Sequence, residues 1–264
     1  MSSKNRIGPH LSLKGSFMDI LTTLPKGCEC FQCFLGAPLQ YHLKTYDPKD
    51  LHDAGTYLET NNMKMYVHAP YVINLASPQT QEKGQASLQK YLDTLAAVSP
   101  THTGTVLHIG ANGSLANVAD QLNSMKISSP LYLENCAGEG TKLGKNMDEL
   151  NKLMELTDSH RIGICIDTCH AHSAGLADMR ETRQVVKMFD DLPEDRPTMF
   201  HLNDSKVDFL AKVDRHMPIG EGTIWSKNKE SLKTFGELAN NTERDIILET
   251  PTPNLSEMSW LVNA

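Results

Sequence analysis

The chain has 264 residues, 39% of them hydrophobic and 22% charged, the proportions of a globular protein with room for a sizeable core. Its formal charge of −7 argues, taken alone, against a nucleic-acid partner, and six cysteines spread over this length do not resemble a disulfide framework. No apolar run approaches a membrane span and the opening MSSKNRIGPHLSL lacks an apolar secretory core, so an intracellular location is expected.

Arg6 to Leu11 reads as a short first strand, followed by a turn at Ser12 to Gly15 and a brief helix through Leu24. Cys28 to Phe34 is the second strand, and the turn-rich loop after it carries Leu39 and Tyr41. Asp47-Pro48, an N-cap followed by proline at the first helical position, opens a helix to about Thr60. The third strand ends at His68. Ser77-Pro78 repeats the cap-plus-proline signal before a long helix whose inner face is Leu88, Tyr91, Leu92 and Leu95. Thr105 to His108 is the fourth strand, Ala111 to Met125 a helix, and Pro130 to Glu134 the fifth strand. Asn146, with Glu149 three residues on, opens the next helix. The sixth strand lies in RIGICID, and a helix follows over Met179 to Asp191. The seventh strand, Thr198 to Leu202, feeds a long loop from Asn203 to Thr223. A helix from Ser226 to Ala239, an eighth strand from Asp245 to Glu249 and a short helix near Leu255 to Leu261 complete the chain. Eight alternations of strand and helix predict an α/β fold, a single (β/α)8 TIM barrel forming one domain over residues 1–264.

Six of the strands share a grammar. MYVHAP closes on His68, TVLHIG on His108, LYLENC on Glu134, RIGICID on Asp167, TMFHLND on His201 and IILETP on Glu249. A single buried His or Glu at a strand end is usually a hydrogen-bonded structural residue. Six have a common cause in a parallel barrel, where all C-terminal strand ends meet at one rim and form the active site. His170, one turn past Asp167, and the Asp214-x-His216 pair add three more candidates. Nine His and carboxylate ligands suit zinc, manganese or iron, and nine are too many for one ion. A cluster of two or three metals needs bridging carboxylates, and two-metal geometry is the usual solution for phosphodiester hydrolysis. Three divalent ions would bring the molecule from −7 to near −1 and give the rim a positive field that attracts phosphate. The Cys28, Cys30 and Cys33 cluster lacks a second half with zinc spacing and reads as buried or partly exposed thiols on a strand.

The segments HAPYVINLA (68–76), LENCAGEGTKLG (133–144), GICIDTCHAHSAG (163–175), HLNDSK (201–206) and DRHMPIGEG (214–222) resemble the motifs of the endonuclease IV family of apurinic/apyrimidinic endonucleases. The similarity runs from IGPHLS at residue 7 to LET at residue 250, and all nine metal-ligand positions of the family are occupied. The resemblance implies a trinuclear zinc barrel enzyme of base-excision repair, with manganese in part as an alternative metal. It implies a first zinc on His68, His108 and Glu134, and a second on Glu134, Asp167, His201 and Glu249. The third would lie on His170, Asp214 and His216. A hydroxide between the first two ions is the implied nucleophile at the phosphorus 5′ to an abasic sugar, with Glu134, Asp167 and Glu249 as the catalytic carboxylates. The implied partner is double-stranded DNA with abasic sites, met by a monomer with no membrane attachment.

Tyr71 and Val72 match the family's wedge positions in the third rim loop, where a wedge fills the gap left by an extruded nucleotide. Leu39 aligns where many relatives carry a longer polar or basic residue, so the wedge here is apolar. Arg215, Lys206 and Lys212 are candidate phosphate contacts. His10 and His172 flank the site as supporting or packing residues, and Cys136 and Cys169 lie beside ligands without completing the set. Two other readings compete: a metal-dependent sugar isomerase or epimerase of related fold, which would not require Asp214 and His216, and a catalytically silent DNA-binding barrel, which would have lost a ligand.

Overall fold

A computed structural model describes residues 5–12, 15–25 and 27–250. The barrel strands are β1 (Ile7–Ser12), β2 (Cys30–Phe34), β3 (Lys64–His68), β4 (Thr103–His108), β5 (Leu131–Glu134), β6 (Ile162–Asp167), β7 (Thr198–Leu202) and β10 (Ile246–Leu248), with β8 (Asp204–Ser205) and β9 (His216–Met217) forming a separate hairpin. The eight pair in parallel and close, β10 lying between β1 and β7. Around them run α1 (Phe17–Thr23), α2 (Pro48–Thr60), α3 (Gln81–Val98), α4 (Leu115–Asn123), α5 (Met147–Leu156), α6 (Thr168–Ala174), α7 (Thr182–Asp190) and α8 (Lys229–Asn241).

Successive side chains of a strand point to opposite faces, and both faces of these strands are buried. One set packs outward: Val67, Leu107, Leu133, Ile164 and Phe200 meet helix residues such as Leu58, Leu92, Leu122, Leu150 and Phe235. Burying each such side chain contributes about 1.5–3 kcal/mol. The other set forms its own cluster, Cys30, Tyr66, Val106, Tyr132, Cys165, Met199 and Ile247, one from each of seven strands, and fills the barrel interior. The eighth strand supplies Gly8, where an added Cβ would lie 1.6 Å from the Cys30 carbonyl oxygen, so only glycine lets β1 approach β2. At the lower end Tyr66 donates to Asp245 at 2.6 Å, and Lys64 and Arg6 pair with the same carboxylate at 3.4 and 3.6 Å.

Two residues further along each strand the pleat returns to the interior, one layer higher. The residues there are His10, Gln32, His68, His108, Glu134, Asp167, His201 and Glu249. The top layer of the barrel core is therefore polar, and it is the site.

Several expected boundaries shift. The Ser77-Pro78 signal marks a turn, with Thr80 and Gln81 donating to the Ser77 carbonyl, and α3 begins only at Gln81. The fourth helix starts at Leu115, capped by Ser114, because Gly110 to Gly113 is drawn against the third loop. Asn146 caps α5 as expected, but Glu149 reaches back to the Gly144 and Lys145 amides. Helix α6 and the β8–β9 hairpin were not anticipated. The helix expected near Leu255 to Leu261 lies outside the described residues. The cysteine cluster diverges: Cys30 faces the barrel interior while Cys28 and Cys33 face the outer layer, and burial pushes their thiols up, to about 11 for Cys28 and about 12 for Cys33.

Candidate metal centre

All nine side chains expected as ligands meet at the rim. Ligand atoms fall within 4.8 Å of one another in the groups His68, His108, Glu134; Glu134, Asp167, His201, Glu249; and Asp167, His170, His216. Asp214 joins the last group, 3.2 Å from both His170 Nε2 and His216 Nε2. Strand register does most of this, since β4 against β5 sets His108 beside Glu134 and β6 against β7 sets Asp167 beside His201. Asp167 also caps α6, accepting from the His170 amide at 2.8 Å, and so turns His170 into the rim.

Glu134 is the hub. It is fully buried, with Oε2 3.1 Å from His68 Nε2 and 3.4 Å from His108 Nδ1, and Oε1 3.1 Å from His201 Nδ1 and 3.5 Å from His170 Nδ1. It belongs to the first two groups, as Asp167 belongs to the second and third.

The imidazoles are oriented from behind. His68 Nδ1 donates to the Ala69 carbonyl at 2.7 Å, His170 Nδ1 to the Asn135 carbonyl at 3.0 Å, His216 Nδ1 to the Glu249 carbonyl at 3.3 Å, and His201 Nε2 to Gln32 Oε1 at 2.8 Å. One nitrogen of each ring is thus committed to a neutral acceptor, and the other is aimed at carboxylate oxygens, the arrangement that fixes a histidine for metal ligation. His170 Nε2 and His216 Nε2 are buried without a hydrogen-bond partner among the described residues. A divalent ion satisfies such a nitrogen and the carboxylate facing it together, and five imidazoles with four carboxylates suit zinc or manganese.

Electrostatics agree. Burial disfavours charge on His170, yet Asp167, Asp214 and Glu134 outweigh it and hold the ring well above its ordinary range. His201 is raised in the same way against burial, by Cys165, Glu249 and Glu134. Burial pushes His108 down to about 4. Against burial, the histidine charges hold Glu134 well below the usual carboxylate range, and His170, 3.2 Å away, with His216 beside it holds Asp214 down to about 2. These acids stay ionised and able to bind a cation.

Gln32, neither a histidine nor an acid and so outside the strand-end pattern, is fully buried in the rim layer and donates to Glu249 Oε1 at 2.8 Å. His10 Nδ1 lies 3.0 Å from the same oxygen, the supporting position expected of it. His172 is a packing residue, 3.4 Å from Asp178 and 5.4 Å from the Phe209 ring. Cys169 comes within reach of Asp214 and His216, but burial pushes its thiol up and the sulfur points to the Arg215 carbonyl at 3.6 Å.

A family model described as a xylose isomerase-like TIM barrel matches residues 26–260. A Halothermothrix orenii protein named probable endonuclease 4 is 31% identical over 263 residues, covering 93% of each chain. The chain belongs to the endonuclease IV family. The solved endonuclease IV of Thermus thermophilus superposes with a TM-score of 0.79 at 28% identity, over 98% of this chain and 96% of that one. A D-tagatose 3-epimerase-like protein reaches 0.68 at 18% identity over 98% and 97% of the two chains, a likeness of fold alone.

Around the centre of this endonuclease IV chain, the residues expected to meet DNA stand on three loops. Leu39 is 73% exposed and Tyr71 50% exposed, and the Tyr71 amide donates to the Pro38 carbonyl at 2.8 Å, tying the second loop to the third. The Tyr71 ring lies edge-on over His68 at 5.2 Å and Phe34 at 5.5 Å, and Val72 beside it is half-buried. Lys206 and Arg215 are exposed and face each other across the β8–β9 hairpin, with Lys212 exposed at its tip. A cavity of about 360 Å³ opens beside the centre, lined by Tyr71, Asn74, His108, Lys142, Asp214 and Glu249 among others. Lys142 was not anticipated, because in sequence it is one lysine in a glycine-rich loop.

Among the described residues, no helix is long and apolar enough to cross a membrane.

Proposed function

We propose that this chain is an apurinic/apyrimidinic endonuclease that hydrolyses the phosphodiester 5′ to abasic sites in double-stranded DNA, using three zinc ions and leaving 3′-hydroxyl and 5′-deoxyribose phosphate ends. The observation that carries this is the set of four histidines, each tied from behind by a neutral acceptor and aimed at shared carboxylates. Membership of the endonuclease IV family supplies the reaction class.

His68, His108 and Glu134 would hold one ion, Glu134, Asp167, His201 and Glu249 a second, and His170, Asp214 and His216 a third. When bound, such ions act as Lewis acids on phosphoryl oxygens and bring the pKa of water toward neutrality. The residues of the chain do the rest. Glu134 and Asp167, each shared by two groups, fix the spacing between the positions. Gln32 and His10 hold the Glu249 carboxylate in one orientation. Tyr71 covers His68 and His108 and keeps bulk water from that side of the centre. Leu39, Tyr71 and Val72 enter the duplex, and the abasic sugar, which no base pair holds in the stack, swings into the cavity at least cost. Lys142, Lys206 and Arg215 meet the flanking phosphates.

The test is incision of a duplex with one synthetic abasic site by the purified protein, with end-group analysis of the products. Cleavage 5′ to the lesion supports the proposal; intact duplex with a fully metal-loaded protein refutes it.

A further inference from the structure

One fully buried carboxylate at the rim has no part in the steps above. Asp204, in β8, accepts from five backbone amides: Ser205 at 2.8 Å and Ile224 at 2.9 Å on Oδ1, and Gly220 at 3.0 Å, Gly222 at 3.1 Å and Trp225 at 3.3 Å on Oδ2. Four of the five come from the segment that follows β9. A buried carboxylate of this kind is held in one place by its donors and holds them in return.

The consequence falls on His216. In the hairpin Ser205 pairs with His216 and Asp204 with Met217, and the chain then doubles back to lay residues 220–225 around the Asp204 carboxylate. His216 therefore sits between two fixed points, the strand pairing before it and the amide cage after it. The fit is close: a Cβ on Gly222 would lie 2.3 Å from Asp204 Oδ1 and 2.4 Å from the Ser205 carbonyl oxygen. The Asp214 side of the loop is held independently, by Ser173 bonding both the carbonyl and the amide of Val213, at 2.8 and 2.9 Å, and by Glu139 accepting from the Asp214 amide at 3.3 Å.

We propose that Asp204 is a positioning residue for the third metal position, preforming the His216 side of the His170, Asp214 and His216 group. The other six ligands stand on strand ends and do not depend on it. This inference rests on the reading of that group as a metal-holding one.

Asp204→Asn keeps the shape and replaces an acceptor oxygen by a group that faces amide donors with its own hydrogens. Zinc-loaded wild type and variant are dialysed against a weak chelator and their metal content measured, with amide hydrogen exchange on the same samples. The wild type should retain three ions and the variant two, the third having lost roughly 10- to 100-fold in affinity, as expected when an outer partner of a ligand is removed. Exchange should quicken over residues 216–225 and stay unchanged in β3 to β7. Thr223→Ala loosens the same seam without touching Asp204, since Thr223 Oγ1 donates to the Ser205 and Val207 carbonyls at 3.1 and 2.6 Å. It should show the same selective loss to a smaller degree, and it decides the matter if Asp204→Asn does not fold. Loss of all three ions together, or quickened exchange with all three held at wild-type affinity, overturns the positioning role and leaves the metal reading standing. A wild type that holds fewer than three ions overturns both.

Discussion

Gln32→Leu is the substitution that asks most of the ligand layer. Leucine is close to glutamine in size, so the packing of β2 is retained, while three polar contacts disappear from a fully buried position, the one at 2.9 Å between Gln32 Nε2 and His10 Nδ1 among them. His201 Nε2–H loses its acceptor at 2.8 Å, and Glu249 Oε1 loses a donor at 2.8 Å. An orphaned buried donor costs about 1–3 kcal/mol, and a hydrogen bond to a charged group is worth about 1.5–3 kcal/mol. The expected destabilisation of the metal-free fold is therefore a few kcal/mol. In the loaded protein His201 loses the bond that commits its Nε2 and leaves Nδ1 for the ion, so affinity at the second position should fall roughly 10- to 100-fold. Competition against a fluorescent zinc chelator resolves this, and the ion on His68 and His108 should be retained. Gln32→Glu restores the acceptor for His201 but sets a second carboxylate against Glu249, and should recover only part of the loss. Wild-type zinc affinity and an unchanged melting temperature in Gln32→Leu would refute the reasoning.

Glu134→Ala removes the carboxylate that faces four imidazoles and should abolish incision with loss of bound metal; wild-type incision would show that the shared carboxylate is dispensable. Leu39→Ala, at an exposed position, should weaken binding to abasic duplex about tenfold, the equivalent of leaving a leucine side chain unburied, with metal content unchanged. Val72→Gly should likewise weaken binding without loss of metal, and metal loss in that variant would make Val72 a structural residue instead. In the metal-free protein the ion pairs of His170 and His201 stabilise the fold fully below the unfolded histidine pKa of about 6.5 and fade as pH rises through the raised folded values. Zinc competes with those protons, so as pH rises above about 6.5 the melting temperature of stripped protein should fall while zinc affinity rises. A zinc affinity that falls over that window contradicts the proton competition.

The barrel and the side chains gathered at its rim were legible because both rest on a period of two. The strands that read as apolar runs ending on His, Glu or Asp are those whose pleat carries interior residues upward, so His68, His108, Glu134, Asp167, His201 and Glu249 follow from the same alternation that names Tyr66, Val106, Tyr132, Cys165, Met199 and Ile247 as core. Gln32 obeys that alternation too, two residues past Cys30, and was missed only because an amide is not a ligand type; asking for polar residues in register with the ligands would have found it. His10, two past Gly8, belongs to the same layer. The loops were less legible, because their order comes from single side chains that cage distant amides. Asp204 reaches 16 to 21 residues ahead and Asn74 accepts from Ala111, and no local pattern announces either. Helix α6 was hidden because TCHAHSA follows its strand without a loop, with Asp167 serving as both strand end and cap.

We propose that nine rim residues hold three metal ions for incision beside an abasic site. The direct measurement is metal analysis and abasic-duplex incision on one preparation of the intact protein. About three zinc ions per chain with cleavage 5′ to the lesion is the expected result; a fully loaded protein that leaves the abasic duplex whole would contradict it, and aldose and ketose substrates would then be tested.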